Sequence, residues 1–270
     1  MIHTGSIGLD VALGGGWRPG TLNEVWGDPG AAKTVLALHS AENAVRAGRE
    51  VLWIDLNDGV RHMTSAPKVI VGRPHNAEQA FGMAEYACRY DGIGLVVIDP
   101  AQMLVRQREL DGDPGYVPHP QREYAKELTG LKRAAKASGT VVLFVSQPRD
   151  KEREPVRGTG ISEKVHYRVH LHPDVVHQDG RRVIQVTLKN MLSKQVTRDA
   201  ALFTVRPGLG IDQAREIILE GCRWNVIVER GTWMAWNNTQ AQGAYALSRK
   251  LNSAQLHDLE DEIRIIAGID

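Results

Sequence analysis

Residues 21–34 run Thr-Leu-Asn-Glu-Val-Trp-Gly-Asp-Pro-Gly-Ala-Ala-Lys-Thr, an apolar strand passing into a Gly/Ala-rich turn closed by Lys33 and Thr34. No other stretch restricts the fold as strongly. The turn fits G-x-x-x-x-G-K-[ST] at all but one position: Gly27 opens it, Asp28, Pro29, Gly30 and Ala31 fill the free positions, and Ala32 replaces the second glycine. In such a loop backbone N–H groups wrap phosphate oxygens, the lysine neutralises their charge and the threonine hydroxyl holds Mg²⁺. The Ala32 methyl stands where the backbone must pass close to a phosphate. Turns of this composition also arise by chance, so context decides. An apolar strand precedes the loop and an amphipathic run (Val35, Leu36, Leu38, Ala41, Ala44, Val45) follows it, as the motif requires.

A second stretch supports the first. Residues 94–99, Gly-Leu-Val-Val-Ile-Asp, form a continuous apolar run ending in a carboxylate, the pattern of a buried parallel strand with an acid at its tip. Taken alone, this is a core strand that stops at Asp99-Pro100. Beside a phosphate loop, Asp99 is better read as a partner of Thr34 in holding Mg²⁺.

The 270 residues suffice for one large α/β domain with a smaller appendage. A net charge of +1 gives no global basic signal, so any nucleic-acid contact must be local. Cys88 and Cys222 are isolated, which argues against a disulfide framework or zinc site and suits a reducing cytoplasm. The first residues lack a basic, apolar-cored leader and no stretch is long enough to span a membrane, so the expectation is a soluble cytoplasmic protein.

Apolar runs suited to strands fall at 22–26, 51–55, 68–71, 94–98 and 140–145, with helical spacing between most of them (Ala77, Ala80, Phe81, Ala84, Ala87, Cys88; then Tyr124, Leu128, Leu131, Ala135). The alternation predicts a parallel sheet covered on both faces, with ligands at the strands' C-terminal ends. From about 165 the period becomes two (Val165, Tyr167, Val169, Leu171), and runs 182–188 and 200–205 predict an antiparallel extension. Arg206-Pro-Gly-Leu-Gly210 marks a boundary, giving domains 1–205 and 206–270. The second holds a helix at 211–221, a Trp-containing strand at 232–236 and helices near 243–251 and 254–267. Asn252 and Gln255 suit a capping box on the last helix.

Several collinear segments together resemble the bacterial RecA recombinases over nearly the whole chain. They are residues 4–14 ahead of the loop, Ala77-Glu-Gln-Ala80 with the strand to Asp99, Leu128-Thr-Gly-Leu-Lys132 with the strand ending at Gln147, Leu188-Lys-Asn190, and Gly231-Thr-Trp233 followed by Gln242-Gly243. The resemblance implies a RecA-like P-loop ATPase core of α/β class with a mostly parallel central sheet, plus a small α+β C-terminal domain. It also implies ATP and Mg²⁺ as cofactors, a homo-oligomeric helical filament on single-stranded DNA, and pairing with duplex DNA. Lys33 would contact the β- and γ-phosphates, Gln147 would couple the γ-phosphate to a DNA loop, and Lys189 would reach the nucleotide of the adjacent protomer.

The departures bear on chemistry. Where the family has a glutamate that orients the attacking water, the aligned residue is Asn57, and an amide cannot accept a proton as a carboxylate does; Asp55 or Asp58 would need a shifted backbone to replace it. With Ala32, this predicts slow DNA-dependent ATP hydrolysis at most. The segment 58–67 is shorter than the family's, which bears on its adenine-stacking tyrosine. Met191 stands at the second interface-lysine position, with Lys194 nearby. The chain begins where the family's core begins, without the helix and strand that dock on a neighbour.

Two loops would face DNA by this resemblance. The first, 111–119, carries Tyr116, able to stack on bases; a plain surface loop has the same composition. The second, 148–160, carries Arg149, Lys151, Arg153 and Arg157, with Gly158 and Gly160 letting backbone approach phosphate. Asp150, Glu152 and Glu154 nearly cancel those bases, so it also reads as a solvated mixed-charge loop. His166, Arg168, His170 and His172 share one strand face; a polar sheet face is a better reading than a metal site. Trp224, Trp233 and Trp236 read as core of the small domain. Arg223, Arg230, Arg249 and Lys250 form either a duplex-gathering surface or ordinary solvated charge. Three functions fit: a compact recombinase of phage or mobile-element type, a non-catalytic RecA-fold paralogue that binds a recombinase or repair polymerase, and an unrelated P-loop ATPase of KaiC-like or helicase type. The last leaves the C-terminal match unexplained.

Overall fold

Ser6 accepts a hydrogen bond from Leu9 N and opens helix α1 (Ile7–Leu13), the first element in a computed structural model that describes residues 1–60, 68–90, 92–117, 124–148, 160–178 and 180–269. There follow β1 (Leu22–Gly27), α2 (Lys33–Arg46), β2 (Glu50–Asp55), β3 (Val69–Gly72), α3 (Ala77–Ala87), β4 (Ile93–Asp99), α4 (Gln107–Leu110), α5 (Ala125–Ser138), β5 (Val141–Ser146) and α6 (Ile161–Lys164). Next come β6 (Tyr167–Val176), β7 (Arg182–Asn190), β8 (Val196–Arg206) and β9 (Gly210–Ile211), and then α7 (Gln213–Arg223), β10 (Val228–Arg230), β11 (Trp233–Trp236), β12 (Thr239–Gln242), α8 (Ala244–Lys250) and α9 (Ser253–Ala267).

Among the described residues, one sheet runs β3-β2-β4-β5-β1-β6-β7-β8-β9. The strands from β3 to β6 pair in parallel, and β7, β8 and β9 add on antiparallel. Central strands β4 and β5 are buried at every position, as their unbroken apolar runs require. One face packs Leu36, Ala37 and Ala41 of α2 onto Val25, Trp53, Val97 and Phe203. The other packs α3 and α5 through Phe81, Ala84, Leu128 and Leu131. The α/β class and the mostly parallel sheet are therefore as the sequence led us to expect. β9 pairs back on β8, so the large sheet extends beyond Arg206 to Ile211.

A second core gathers Ile217, Ile218, Trp236, Leu247, Leu259 and Ile263 with Ile7 of α1. Helix α1 thus serves two cores, because Leu9 and Leu13 on its other side enter the first. The joint is polar and buried. Asp10 accepts from Thr4 N at 2.7 Å and from Arg264 Nη2 at 3.1 Å, while Glu216 Oε1 accepts from Ser6 Oγ and from Gly8 N. The capping box at Asn252 and Gln255 is present. Trp236 is buried and Trp224 packs against the second core, but Trp233 is 49% exposed. The reason is the period of two: Met234 and Trp236 point inward from β11, so Trp233 points out.

Candidate phosphate-loop site

The loop begins where β1 meets β6. Gly27 has φ of 154°, and a Cβ there would lie 2.3 Å from the carbonyl oxygen of Leu171, so the exit from the sheet admits only glycine. Ala32 takes φ 63°, ψ 23°, a left-handed conformation, at the N-cap of α2, and no side chain caps that helix. The free N–H groups of its first turn, with the positive end of the helix dipole, form a seat for an anion.

Lys33 is buried, and its Nζ donates to Asp28 O at 2.8 Å, folding the side chain back over the loop. Burial lowers its pKa to about 8 against the pull of Asp99 and Asp28. Thr34 Oγ1 donates to Asp99 Oδ2 at 2.9 Å, joining the start of α2 to the tip of β4. Burial raises the Asp99 carboxyl to about 6, opposed by the Thr34 hydrogen bond and Lys33 and reinforced by Asp55. A hydroxyl and a buried carboxylate at the mouth of an uncapped helix make a donor set suited to a hard divalent cation.

Asp55 is level with Asp99 on the neighbouring strand. Its carboxylate accepts from the N–H groups of Asn57, Gly59 and Val60 at 3.4, 3.1 and 3.2 Å and so shapes the turn that follows β2. Asn57 is exposed, and its Oδ1 accepts from Gly59 N at 3.0 Å. Asp58 pairs with Arg73 Nε at 2.9 Å on the surface. All three side chains near the water-orienting position are engaged in local structure.

A cavity of about 850 Å³ opens over the loop, lined by Lys33, Thr34, Asp99 and Gln147, and by Val35, Leu38 and Trp53 on its apolar side. Gln147, just past β5, is held by its backbone N–H donating to Gln102 Oε1 at 3.1 Å. Sequence reasoning missed the opposite wall, made by Arg182 and the turn 205–210. His39 secures that turn, its Nε2 accepting from Ile211 N at 3.0 Å. Burial depresses the imidazole pKa, so the acceptor form is favoured.

Lys189 is not among the residues lining the cavity. It stands beside Arg168 on the sheet face away from α2, because Ile184, Val186 and Leu188 take the inward positions of β7. Met191 packs against the α3/α5 core, and Lys194 lies exposed in the β7–β8 turn. On the same outer face Arg168 Nε donates to buried Glu24 at 2.7 Å, and His170 stacks on Trp26 with ring centroids 3.4 Å apart and planes within 6°. Burial and the neighbouring His172 and Arg168 hold the His170 pKa at about 3. Tyr116 packs under the Arg108 guanidinium, 5.7 Å from its ring centroid. Gly160, at φ 72°, leads into α6. Arg149, Lys151, Arg153, Arg157 and Gly158 lie outside the described residues.

A parallel sheet with a phosphate loop after β1, an acid at the tip of β4 two strands away and an antiparallel extension defines a nucleotide-binding α/β architecture, and comparisons agree on which one. The family model for the RecA N-terminal domain matches residues 1–154. Protein RecA of Acidothermus cellulolyticus is 30% identical over 97% of this chain and 81% of its own length. Protein RecA of Rhodospirillum rubrum is 28% identical over 99% of this chain and 79% of its own. The crystal structure of the RadB recombinase shares the fold at a TM-score of 0.56, with 22% identity over 78% of this chain and 98% of that one. The chain belongs to the RecA family of recombinases.

Proposed function

We propose that this RecA-family protein binds ATP with Mg²⁺, assembles on single-stranded DNA as a helical filament, pairs that strand with duplex and hydrolyses ATP slowly. The observation that carries the reading is the contact between Thr34 and Asp99 at the uncapped start of α2, beside buried Lys33. Backbone N–H groups of 30–34 bind the phosphates, and Lys33 exchanges its bond to Asp28 O for phosphate oxygen. Thr34 and Asp99 hold Mg²⁺, which supplies charge neutralisation at the β- and γ-phosphates. Gln147 lines the cavity and comes two residues before the segment 149–159 of the sequence, which suits it to relay occupancy of the site towards DNA. Lys189, which does not line its own cavity, would act on a neighbour's nucleotide. DNA affinity then falls steeply with salt and carries no sequence preference.

Slow hydrolysis follows from the turn after β2, where no carboxylate is free to orient water. That observation also favours a second reading, an accessory paralogue that binds nucleotide and a recombination partner without forming filaments. Negative-stain imaging with single-stranded DNA, with and without a non-hydrolysable ATP analogue, separates the two. Analogue-dependent helical filaments support the recombinase. Nucleotide binding without filaments overturns it in favour of the paralogue. Among the described residues no helix is long and apolar enough to cross a membrane.

A further inference from the structure

Arg182 opens β7, paired with Val176 on one side and Val205 on the other. β1 ends at Gly27, level with Leu171 of β6 and hence with Val186 of β7. Arg182 is four residues further along, which puts it roughly 13 Å past the tip of β1 at the rise of an antiparallel strand. Its place in the alternation of β7, with Ile184, Val186 and Leu188, turns it to the α2 side of the sheet. The side chain therefore reaches back over the phosphate loop. Nη1 donates to Gly30 O at 2.7 Å, and a Cβ on Gly30 would meet that nitrogen at 2.5 Å. The guanidinium also lines the cavity that holds Lys33, Thr34 and Asp99. Among the described residues no carboxylate pairs with it, and a single carbonyl engages one of its five N–H donors.

An unpaired guanidinium fixed at the rim of an anion seat is itself a ligand for phosphate oxygen. We propose that Arg182 contacts the phosphate chain of the nucleotide bound in its own protomer, as a second cation beside Lys33. This rests on the reading of the cavity as an ATP site. The bond to Gly30 O holds the fork at the loop, and Arg182 lines the cavity beside it. The β6–β7 hairpin is thereby tied to the occupancy of the loop within one chain.

The test is calorimetric titration of ATP with Mg²⁺ into the full-length wild type, Arg182→Met, Arg182→Lys and Lys33→Ala, at two salt concentrations. Arg182→Met should bind ATP roughly tenfold more weakly, the worth of one charge-assisted hydrogen bond, and show a shallower salt dependence. Arg182→Lys should recover most of the affinity and the salt slope, because it restores charge and a donor. Melting points without nucleotide should match, since Arg182 is exposed. Arg182→Met binding ATP as tightly as wild type overturns the assignment. So does a loss that Arg182→Lys does not repair, or one that leaves the salt slope unchanged, since either would make the residue a structural staple alone. A folded wild type that takes up no ATP overturns the ATP-site reading beneath it, an outcome distinguishable because Lys33→Ala would then look no different.

Discussion

Replacing Glu216 by glutamine should shift stability in the variant's favour by an increment that grows with pH. The glutamate is 2% exposed at the joint between α1 and α7. Its Oε1 accepts from Ser6 Oγ and Gly8 N, and its Oε2 has no partner among the described residues. Burial raises its pKa well above 4.5, the Ser6 and Gly8 bonds pull the other way, and Glu220 and Asp10 push it up further. Below pH 4.5 folded and unfolded chains both carry the proton, and this group makes stability independent of pH. Above it the unfolded chain ionises while the folded one does not, so stability falls by about 1.4 kcal/mol per pH unit until the folded carboxyl titrates. Glutamine keeps the acceptor for Ser6 and Gly8 and never ionises. The gap between Glu216→Gln and wild type should widen by up to about 1.4 kcal/mol per unit, or roughly 3–5 °C in melting temperature for a chain of this size. Thermal melts of both proteins at pH 5.5, 6.5 and 7.5 measure it, and titrations of groups away from this joint cancel in the difference. A gap that stays flat or narrows as pH rises would show that Glu216 is ionised in the folded protein and refute the argument.

Gly27→Ala should cost about 2–4 kcal/mol, since its Cβ would strike the Leu171 carbonyl in a backbone that cannot yield without parting β1 from β6; a urea midpoint equal to wild type would contradict that packing. Lys33→Ala should abolish ATP-dependent DNA binding, and undiminished DNA affinity with ATP would remove the nucleotide switch. Asn57→Glu should raise ATP turnover if residue 57 is the water-orienting position. No gain in a folded variant would show that the turn shaped by Asp55 holds the side chain too far from the site.

The parallel core was legible because its signals are local. Strand-loop-helix around Lys33, an apolar run ending at Asp99 and period two from 165 each report one element, and the sheet followed from their alternation. Within the site, Thr34 and Asp99 could be paired from motif logic alone. Arg182 could not. Its period places it on the inward face of β7, but its contact with Gly30 depends on how far the hairpin rises beyond β1, a matter of register between strands about 150 residues apart in sequence. The same holds for His39 and Ile211, and for Ser6 and Glu216, whose partnerships are set by tertiary packing. Trp233 shows the converse: composition suggested core, while alternation along β11 decides for solvent.

The antiparallel extension ties these observations together. Its inner face carries Ile184, Val186 and Phe203 into the core under α2, and its rim delivers Arg182 and the turn 205–210 to the cavity. Its outer face presents Arg168, His170 and Lys189, with Arg168 held by buried Glu24 and His170 flat on Trp26, the residue just before Gly27. β1 therefore lies between the two, touching the outer face through Glu24 and Trp26 and opening the phosphate loop at its end. Were the loop to move on binding phosphate, β1 would link it to the outer face through buried Glu24 and half-buried Trp26. If Lys189 serves a neighbour's nucleotide, the residues that would carry the state of one site to the next are Trp26 and His170. Trp26→Ala should then weaken the dependence of assembly on ATP while leaving ATP affinity within about twofold, because Trp26 touches the outer face and not the cavity. Equal loss of both, in a folded variant, would place Trp26 in the structure of the loop itself and break the proposed route.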